Sequence, residues 1–344
     1  MRCLFNFSVS YSGGGLKRLH AYAKWFNANG GASFIIHPRC EPLIREFLNN
    51  RFHVVCQTPA QRLFNDCGYL PAIVRETGRP DLYFSYGIAI PRRVGRVNWF
   101  QLTNLLTLTS GHTDLPWGDR MKAAALGWRY LRALRHADVI AAESAWSLGL
   151  IPVEHADKLF LAVNGSDDEL ANFHASTGET KDNVATILGT HRYKALDDAY
   201  RVFDMLRQGK RGLKLRIIGS EAVIPRTLLS DGDVVPMGLL PRDGAVACLR
   251  RTKYYLSTTR IEGSYNAAAE GVFSANESYI SDIGPHRELL ASSKYARVPI
   301  PGVSRPLLYV KRDELDTSQL RRWEELIVDM IRKAEDVLAG QRLA

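Results

Sequence analysis

Arg260-Ile-Glu262-Gly-Ser-Tyr-Asn-Ala-Ala-Ala-Glu270-Gly271 is the stretch on which the reading of this chain turns. An apolar run, Tyr254 to Ser257, precedes it, and a second, Tyr279 to Ser281, follows. Short apolar runs bounded by turn residues read as buried strands, and the small-residue segment between them as a helix. Strand, glycine loop, helix and strand make a unit whose strands lie parallel, with the helix on one face of the sheet.

The same alternation extends in both directions. Upstream, Val184 to Leu188, Leu215 to Gly219 and Val234 to Met237 read as strands, and Leu196 to Leu206 as the clearest of the intervening helices. Nearer the N-terminus a separate series appears: Leu4 to Ser8, Ser33 to His37, His53 to Cys56, Leu82 to Tyr86, Val97 to Leu102, Val139 to Glu143 and Lys158 to Val163. Its first helix carries Leu16, Leu19, Ala23 and Phe26 at helical spacing and ends at Asn29-Gly30-Gly31. The polar stretch Ala171 to Asp182 reads as the linker between the two series. Two tandem doubly wound, Rossmann-like α/β domains are therefore expected, over 1–170 and 171–315. A last amphipathic helix in 316–344 carries Trp323, Leu326, Ile327, Met330, Ile331, Ala334 and Leu338 on one stripe. It must bury that face, and the N-terminal domain is the expected partner.

Composition bounds the function. With 344 residues, 46% hydrophobic and 24% charged, the chain has the make-up of a globular protein of two domains. No apolar run approaches the ~20 residues of a membrane span, and the N-terminus reads as a first strand, with no leader. The five cysteines (Cys3, Cys40, Cys56, Cys67 and Cys248) are scattered without a C-x-x-C pair, as are the nine histidines. Reduced cytoplasmic thiols and no metal site are the plain expectation. The net charge of +9 calls for an anionic partner. Between Arg79 and Arg135 nine Lys/Arg face three Asp/Glu, a surplus of six. Nucleic acid, a membrane surface and a phosphorylated ligand all fit that excess.

The chemistry centres on the quoted stretch. Gly263 permits close backbone approach, and the N–H groups of Ser264, Tyr265 and Asn266 would open the helix, an end suited to a pyrophosphate. Glu262 precedes the helix and Glu270 lies ~9 Å along it at ~1.5 Å per residue. One carboxylate is placed for sugar hydroxyls and the other for ribose hydroxyls of a folded donor. The plainer alternative makes Glu270 a solvated helix residue, but its apolar neighbours place it on a partly buried helix, where a carboxylate needs partners.

Two glutamates separated by seven residues, with Gly after the first, resemble the donor-binding signature of glycosyltransferase family 4, E-G-F-G-x-x-x-x-E-A-x-A-x-G. Ser264 and Tyr265 stand where that signature has Phe and Gly. Tyr279-Ile-Ser281-Asp282-Ile-Gly-Pro-His-Arg-Glu288 matches the family's following strand and S-D-x-x-x-x-x-E. Leu188-Gly189-Thr190-His-Arg192-Tyr-Lys194 is similar to its G-x-x-x-x-K turn. Softer matches are Ser12-Gly13-Gly14-Gly15-Leu16-Lys17-Arg18 to its glycine loop, Ala137 to Ser144 to its A-D-x-V-I-A-x-S strand, and Val163-Asn164-Gly165-Ser-Asp167 to its N-G-x-D turn. Together they span roughly residues 10 to 290.

The resemblance implies the GT-B fold, two Rossmann-like domains facing each other across a cleft, and a retaining transfer from a nucleoside-diphosphate sugar without metal. Arg192 and Lys194 inherit the neutralisation of the diphosphate, Glu262 the sugar and Glu270 the ribose. Gly263, Ser264, Tyr265 and Asn266, with Gly14 and Gly15, complete the donor contacts. Many members place a His after a central strand of the first domain; here Gln101 or Asn104 is its replacement.

Analogy further suggests a glycan or polyprenyl-linked acceptor in bacterial surface-polysaccharide (O-antigen or capsule) assembly. Trp117 to His136 reads as a basic amphipathic segment with Lys122, Arg129, Arg132 and His136 on one face, beside Trp128 and Leu131. It fits either an anionic membrane surface, at the inner face of the cytoplasmic membrane, or a core helix with a solvated basic face. Asp231-Gly232-Asp233 matches a D-x-D metal motif but reads as turn chemistry, and Asp197-Asp198 as a helix start. A nucleotide-sugar epimerase on the same fold, and a basic nucleic-acid-binding protein, remain as other classes. No nucleic-acid-binding module is recognisable, so nucleic acid is not an expected partner.

Overall fold

A computed structural model describes residues 1–11, 13–57, 68–103, 105, 108–109, 117–166 and 180–343. Asn104, Cys67, Asp167, Ser12 and most of the 171–182 stretch lie outside the described residues. The chain forms two compact units, Met1–Gly165 with Arg321–Ala344, and Ser166–Leu320.

The first unit runs β1 (Cys3–Phe7), α1 (Gly13–Ala28), β2 (Ser33–Ile36), β3 (Arg51–Val54), α2 (Leu70–Thr77), β4 (Leu82–Tyr86), β5 (Val97–Leu102), α3 (Trp117–Leu134), β6 (Val139–Ala142) and β7 (Leu159–Leu161). Its strands lie in the order β3-β2-β1-β4-β5-β6-β7, every pairing parallel. β1, β4, β5 and β6 are buried along their whole length, which is why they read as predominantly apolar runs.

The second unit runs β8 (Val184–Leu188), α4 (Leu196–Gln208), β9 (Lys214–Ile218), β10 (Val234–Gly238), α5 (Arg242–Arg250), β11 (Tyr254–Ser257), α6 (Asn266–Ser274), β12 (Glu277–Ser281), α7 (Gly284–Leu289), β13 (Ala296–Val298) and β14 (Leu307–Lys311). The order is β10-β9-β8-β11-β12-β14-β13. β8 to β12 are parallel, and β14 and β13 close the sheet antiparallel, an edge hairpin that the strand pattern above leaves out. Separate buried clusters surround α4 and surround α5 with α6, so the sheet is covered on both faces. Each sheet reverses its winding beside its first strand, between β1 and β4 and between β8 and β11. In open α/β sheets ligands bind beyond the strands' carboxyl ends at that reversal.

The last helix, α8 (Trp323–Leu343), belongs to the first unit. Trp323, Ile327, Met330, Ala334 and Leu338 join the core containing Phe5, Tyr22 and Phe84. Beside it lies Arg18, fully buried on α1. Its guanidinium donates to the carbonyls of Ala162 (3.0 Å) and Val163 (3.2 Å) and to Asn164 Oδ1 (3.1 Å). Glu143 lies 3.5 Å away and accepts from Tyr86 at 2.8 Å. Burial of an isolated cation would be prohibitive, so Arg18 requires this ring of acceptors. Gly165 follows at once, and a Cβ there would meet the Trp323 ring at 2.4 Å.

The outward side of α3 is set by what the helix buries. Of the basic residues expected on one face, Arg132 is exposed and Arg129 and His136 are half-buried; the Lys122 side chain lies outside what is described. Ala123, Gly127, Tyr130, Ala133 and Leu134 are buried, and opposite that inward stripe Trp117, Met121 and Trp128 point out with Arg132. No helix among the described residues is long and apolar enough to cross a membrane.

Candidate functional site

β8 and β11 flank the winding reversal of the second unit, and the loops leaving them carry the charged residues singled out above. After β8 the chain turns at Gly189, whose φ of 89° favours glycine and whose N–H donates to Ile218 at 2.8 Å. A single helical turn, Arg192–Lys194, ends at Ala195, a non-glycine residue at φ 48°. Such a conformation needs outside support. Thr258, just past β11, donates its hydroxyl to the carbonyls of Lys194 (3.0 Å) and Ala195 (2.9 Å). Arg260 N–H donates to Tyr193 O at 2.7 Å. The two loops are thus stitched together, and the Lys194 ammonium donates to the Glu262 carboxylate. Lys194 is 8% exposed and Glu262 19%, so the pair is largely withdrawn from water.

α6 begins at Asn266, two residues later than the sequence suggests; Ser264 and Tyr265 belong to the preceding loop, and no side chain caps the helix. Its first helical bond runs from Ala269 N–H to Tyr265 O, 2.7 Å. The N–H groups of the first turn have no partner within the helix itself, as at any helix start. Glu270 lies ~6 Å from the helix start rather than ~9 Å. It is held by Arg242, the first residue of α5, at 2.7 Å, so the partner that a carboxylate on this helix needs is present. Gly271 answers a separate demand: a Cβ there would meet the buried Tyr255 ring at 2.3 Å, so glycine lets α6 lie on β11. Tyr255 in turn donates to Ala267 O at 2.9 Å. Burial, and then the charge of Glu262, push the hydroxyl pKa values of Tyr193 and Tyr255 well up. Both stay protonated.

His286, unremarked in the sequence beyond its place in the motif, sits in α7 and is 1% exposed. Burial lowers its pKa to about 4, with opposing influences from the nearby Glu262 and Lys194 charges. Its Nδ1 lies 2.8 Å from Ser281 O, a carbonyl that only accepts, so Nδ1 carries the proton. Nε2 is then a lone pair, buried with no hydrogen-bond partner among the described residues.

The remaining candidates divide by unit. Arg192 is exposed and makes no ion pair among the described residues. Gly14 and Gly15 lie in the first turn of α1 in the first unit, where a Cβ on Gly15 would meet Ser10 and Tyr86 at 2.9 Å. Gln101, near the end of β5, is fully buried; its Oε1 is 3.5 Å from Trp99 Nε1, and its Nε2 has no partner among the described residues. Asp231 accepts from Tyr200 (2.6 Å) and Arg207 (2.6 Å), which hold its carboxyl below the usual range, and it caps Asp233 N–H. It is a turn residue bound to an arginine. Among the described residues no group of three His, Cys, Asp or Glu is arranged to hold a metal. Asp197 and Asp198 lie in the first turn of α4, where Asp198 accepts from Arg201 at 2.8 Å. Asp282 of the motif is clamped by Arg287 and Arg297 (2.7 Å), which lower its pKa.

No sequence-family description matches the chain, and no curated protein does. Solved structures do. Sucrose-phosphate synthase from Thermosynechococcus elongatus superposes over 99% of this chain and 100% of its own, with a TM-score of 0.67 at 12% identity. HepE from Anabaena, solved in complex with UDP, covers 84% of this chain and 83% of its own at TM-score 0.59 and 14% identity. A glycosyltransferase from Rickettsia africae covers 84% and 81%, at TM-score 0.58 and 13% identity. The chain has the GT-B fold. At these identities the likeness is one of fold, and function must be argued from the site.

Proposed function

We propose that the chain is a retaining, metal-independent glycosyltransferase of the family-4 type, using a nucleoside-diphosphate sugar. The observation that carries this reading is the Lys194–Glu262 pair, set on the two loops that leave the sheet at its winding reversal beside the uncapped start of α6. Neighbouring structures support the donor class: HepE has been solved with UDP-glucose as well as with UDP.

In this reading the diphosphate meets the N–H groups at the start of α6, with Gly263, Ser264, Tyr265 and Asn266 shaping the approach. Lys194 gives one N–H to Glu262 and keeps two for phosphate oxygens. Glu262 takes sugar hydroxyls and Glu270, oriented by Arg242, the ribose. Exposed Arg192 adds the second cation, so fixed charge stabilises the leaving diphosphate. The anomeric carbon–phosphate oxygen bond breaks as the acceptor oxygen bonds to that carbon from the same face. A phosphate oxygen takes the acceptor's proton, and the nucleoside diphosphate leaves with it.

The acceptor is a glycan or polyprenyl-linked glycan of bacterial surface-polysaccharide assembly, met at the inner face of the cytoplasmic membrane. Turnover over a panel of nucleotide sugars, with proton NMR of the product's anomeric coupling, tests the reading. Retained configuration with release of nucleoside diphosphate is expected. Inversion, or interconversion of the donor sugar without transfer, would overturn it.

A further inference from the structure

Helix α3 presents an outward face rich in exposed apolar and basic side chains. Trp117 is 74% exposed, Trp128 62%, Met121 54% and Leu131 43%. Exposed Arg120, Arg132 and Arg135 share that side, with Ala124 and Ala125 filling between. Trp117, Met121, Trp128, Arg132 and Arg135 recur at intervals of four, seven, four and three residues, which keeps them in one narrow arc. The Arg132 guanidinium lies over the Trp128 ring, 5.6 Å from its centre. Among the described side chains of α3, the exposed ones include no Asp or Glu.

We infer that this face is a docking surface for an anionic lipid bilayer. Two large indoles, a methionine and a leucine together on the outside of one helix cost solvation unless something apolar receives them. Interleaved arginines, their stems along the apolar strip and their heads free to reach phosphates, match a headgroup layer. Indoles belong at that boundary, with an apolar body and one N–H donor. The helix lies along the surface rather than through it. A second copy of the chain is the poorer occupant, since an isologous pairing brings two arginine-bearing strips together and no described side chain of the strip is a carboxylate. The inference extends the acceptor side of the reading above, yet stands on vesicle binding alone.

Co-sedimentation with vesicles of phosphatidylcholine, and of phosphatidylcholine mixed with phosphatidylglycerol, tests it on the full chain. Binding to the mixed vesicles only, weakened by salt, is expected. Arg120→Glu/Arg132→Glu/Arg135→Glu should lose roughly fivefold in affinity or more for each charge changed. Trp117→Ser/Trp128→Ser should lose roughly tenfold or more. Both variants should keep the parent's circular dichroism and nucleoside-diphosphate binding. Parent protein that ignores anionic vesicles, or variants that bind them like the parent, would overturn the inference. A solution dimer that Trp128→Ser splits would overturn it too, by giving the face to a second copy. If parent and variants alike failed to bind nucleotide while vesicle binding held, the donor reading would fall and the docking surface would stand.

Discussion

Substituting Met for Lys194 removes the ammonium and keeps most of the stem. It leaves the Glu262 carboxylate, 19% exposed, without its partner. Substituting Gln for Glu262 leaves the ammonium of Lys194, 8% exposed, in a worse position. Breaking a fully buried pair costs ~3–5 kcal/mol; with this exposure we expect about 2–3 kcal/mol for Glu262→Gln and about 1–2 kcal/mol for Lys194→Met. The double variant, with neither charge, should return to within ~1 kcal/mol of the parent, a coupling of about 2 kcal/mol or more across the cycle. Amide hydrogen exchange of β8 and β11 reads this in the second unit alone. The same four proteins separate structure from function. The double variant should fold and yet lose roughly tenfold to a hundredfold in nucleoside-diphosphate affinity, the worth of one or two charge-assisted hydrogen bonds. Additive costs would refute the pairing. A folded double variant that binds nucleotide like the parent would refute the donor role of Lys194.

Glu270→Ala should weaken nucleoside-diphosphate binding in calorimetry, whereas Glu262→Ala should act mainly on transfer; equal binding by both variants and the parent would remove Glu270 from the ribose. Activity should survive EDTA and fall by about two orders of magnitude or more in Arg192→Ala. Loss with chelator, restored by manganese, would reopen Asp231 and Asp233 as ligands. His286 predicts a pH effect. Its folded pKa, about 4, lies below the ordinary 6.5, so the unfolded chain binds more protons between those values and stability falls as pH drops through that window. Above about pH 6.5 it should contribute no slope. Denaturation midpoints of the parent and His286→Asn between pH 4 and 7 check this, the variant having the shallower slope.

The parallel strands were legible because burial on both faces makes them predominantly apolar runs: Leu82–Tyr86, Val97–Leu102, Val184–Leu188 and Tyr254–Ser257 stand where the pattern puts them. The β13–β14 hairpin was not. Ala296 and Arg297 are exposed and carry no alternation, and Pro299, Pro301, Gly302 and Pro306 around its connection read as loop. At the site, residue types were legible and partners were not. Lys194 and Glu262 are separated by 68 positions and meet only because β8 and β11 are neighbours. Arg242 reaches Glu270 because α5 and α6, the helices before and after β11, share one buried cluster. On α3 and just beyond it, helical spacing groups Lys122, Arg129, Arg132 and His136, but how far Arg129 and His136 reach solvent depends on the stripe buried beside them. His286 and Arg18 needed the fold outright, since a lone pair with no partner among the described residues and a ring of carbonyls are properties of burial.

A crystal structure of the chain with a nucleoside diphosphate chosen from the donor panel tests the central claim most directly. The account places the diphosphate at the start of α6, within hydrogen-bond reach of Lys194 Nζ, and the ribose hydroxyls on the Glu270 carboxylate. Nucleotide bound elsewhere in the second unit, with the Lys194–Glu262 and Arg242–Glu270 pairs untouched, would contradict it.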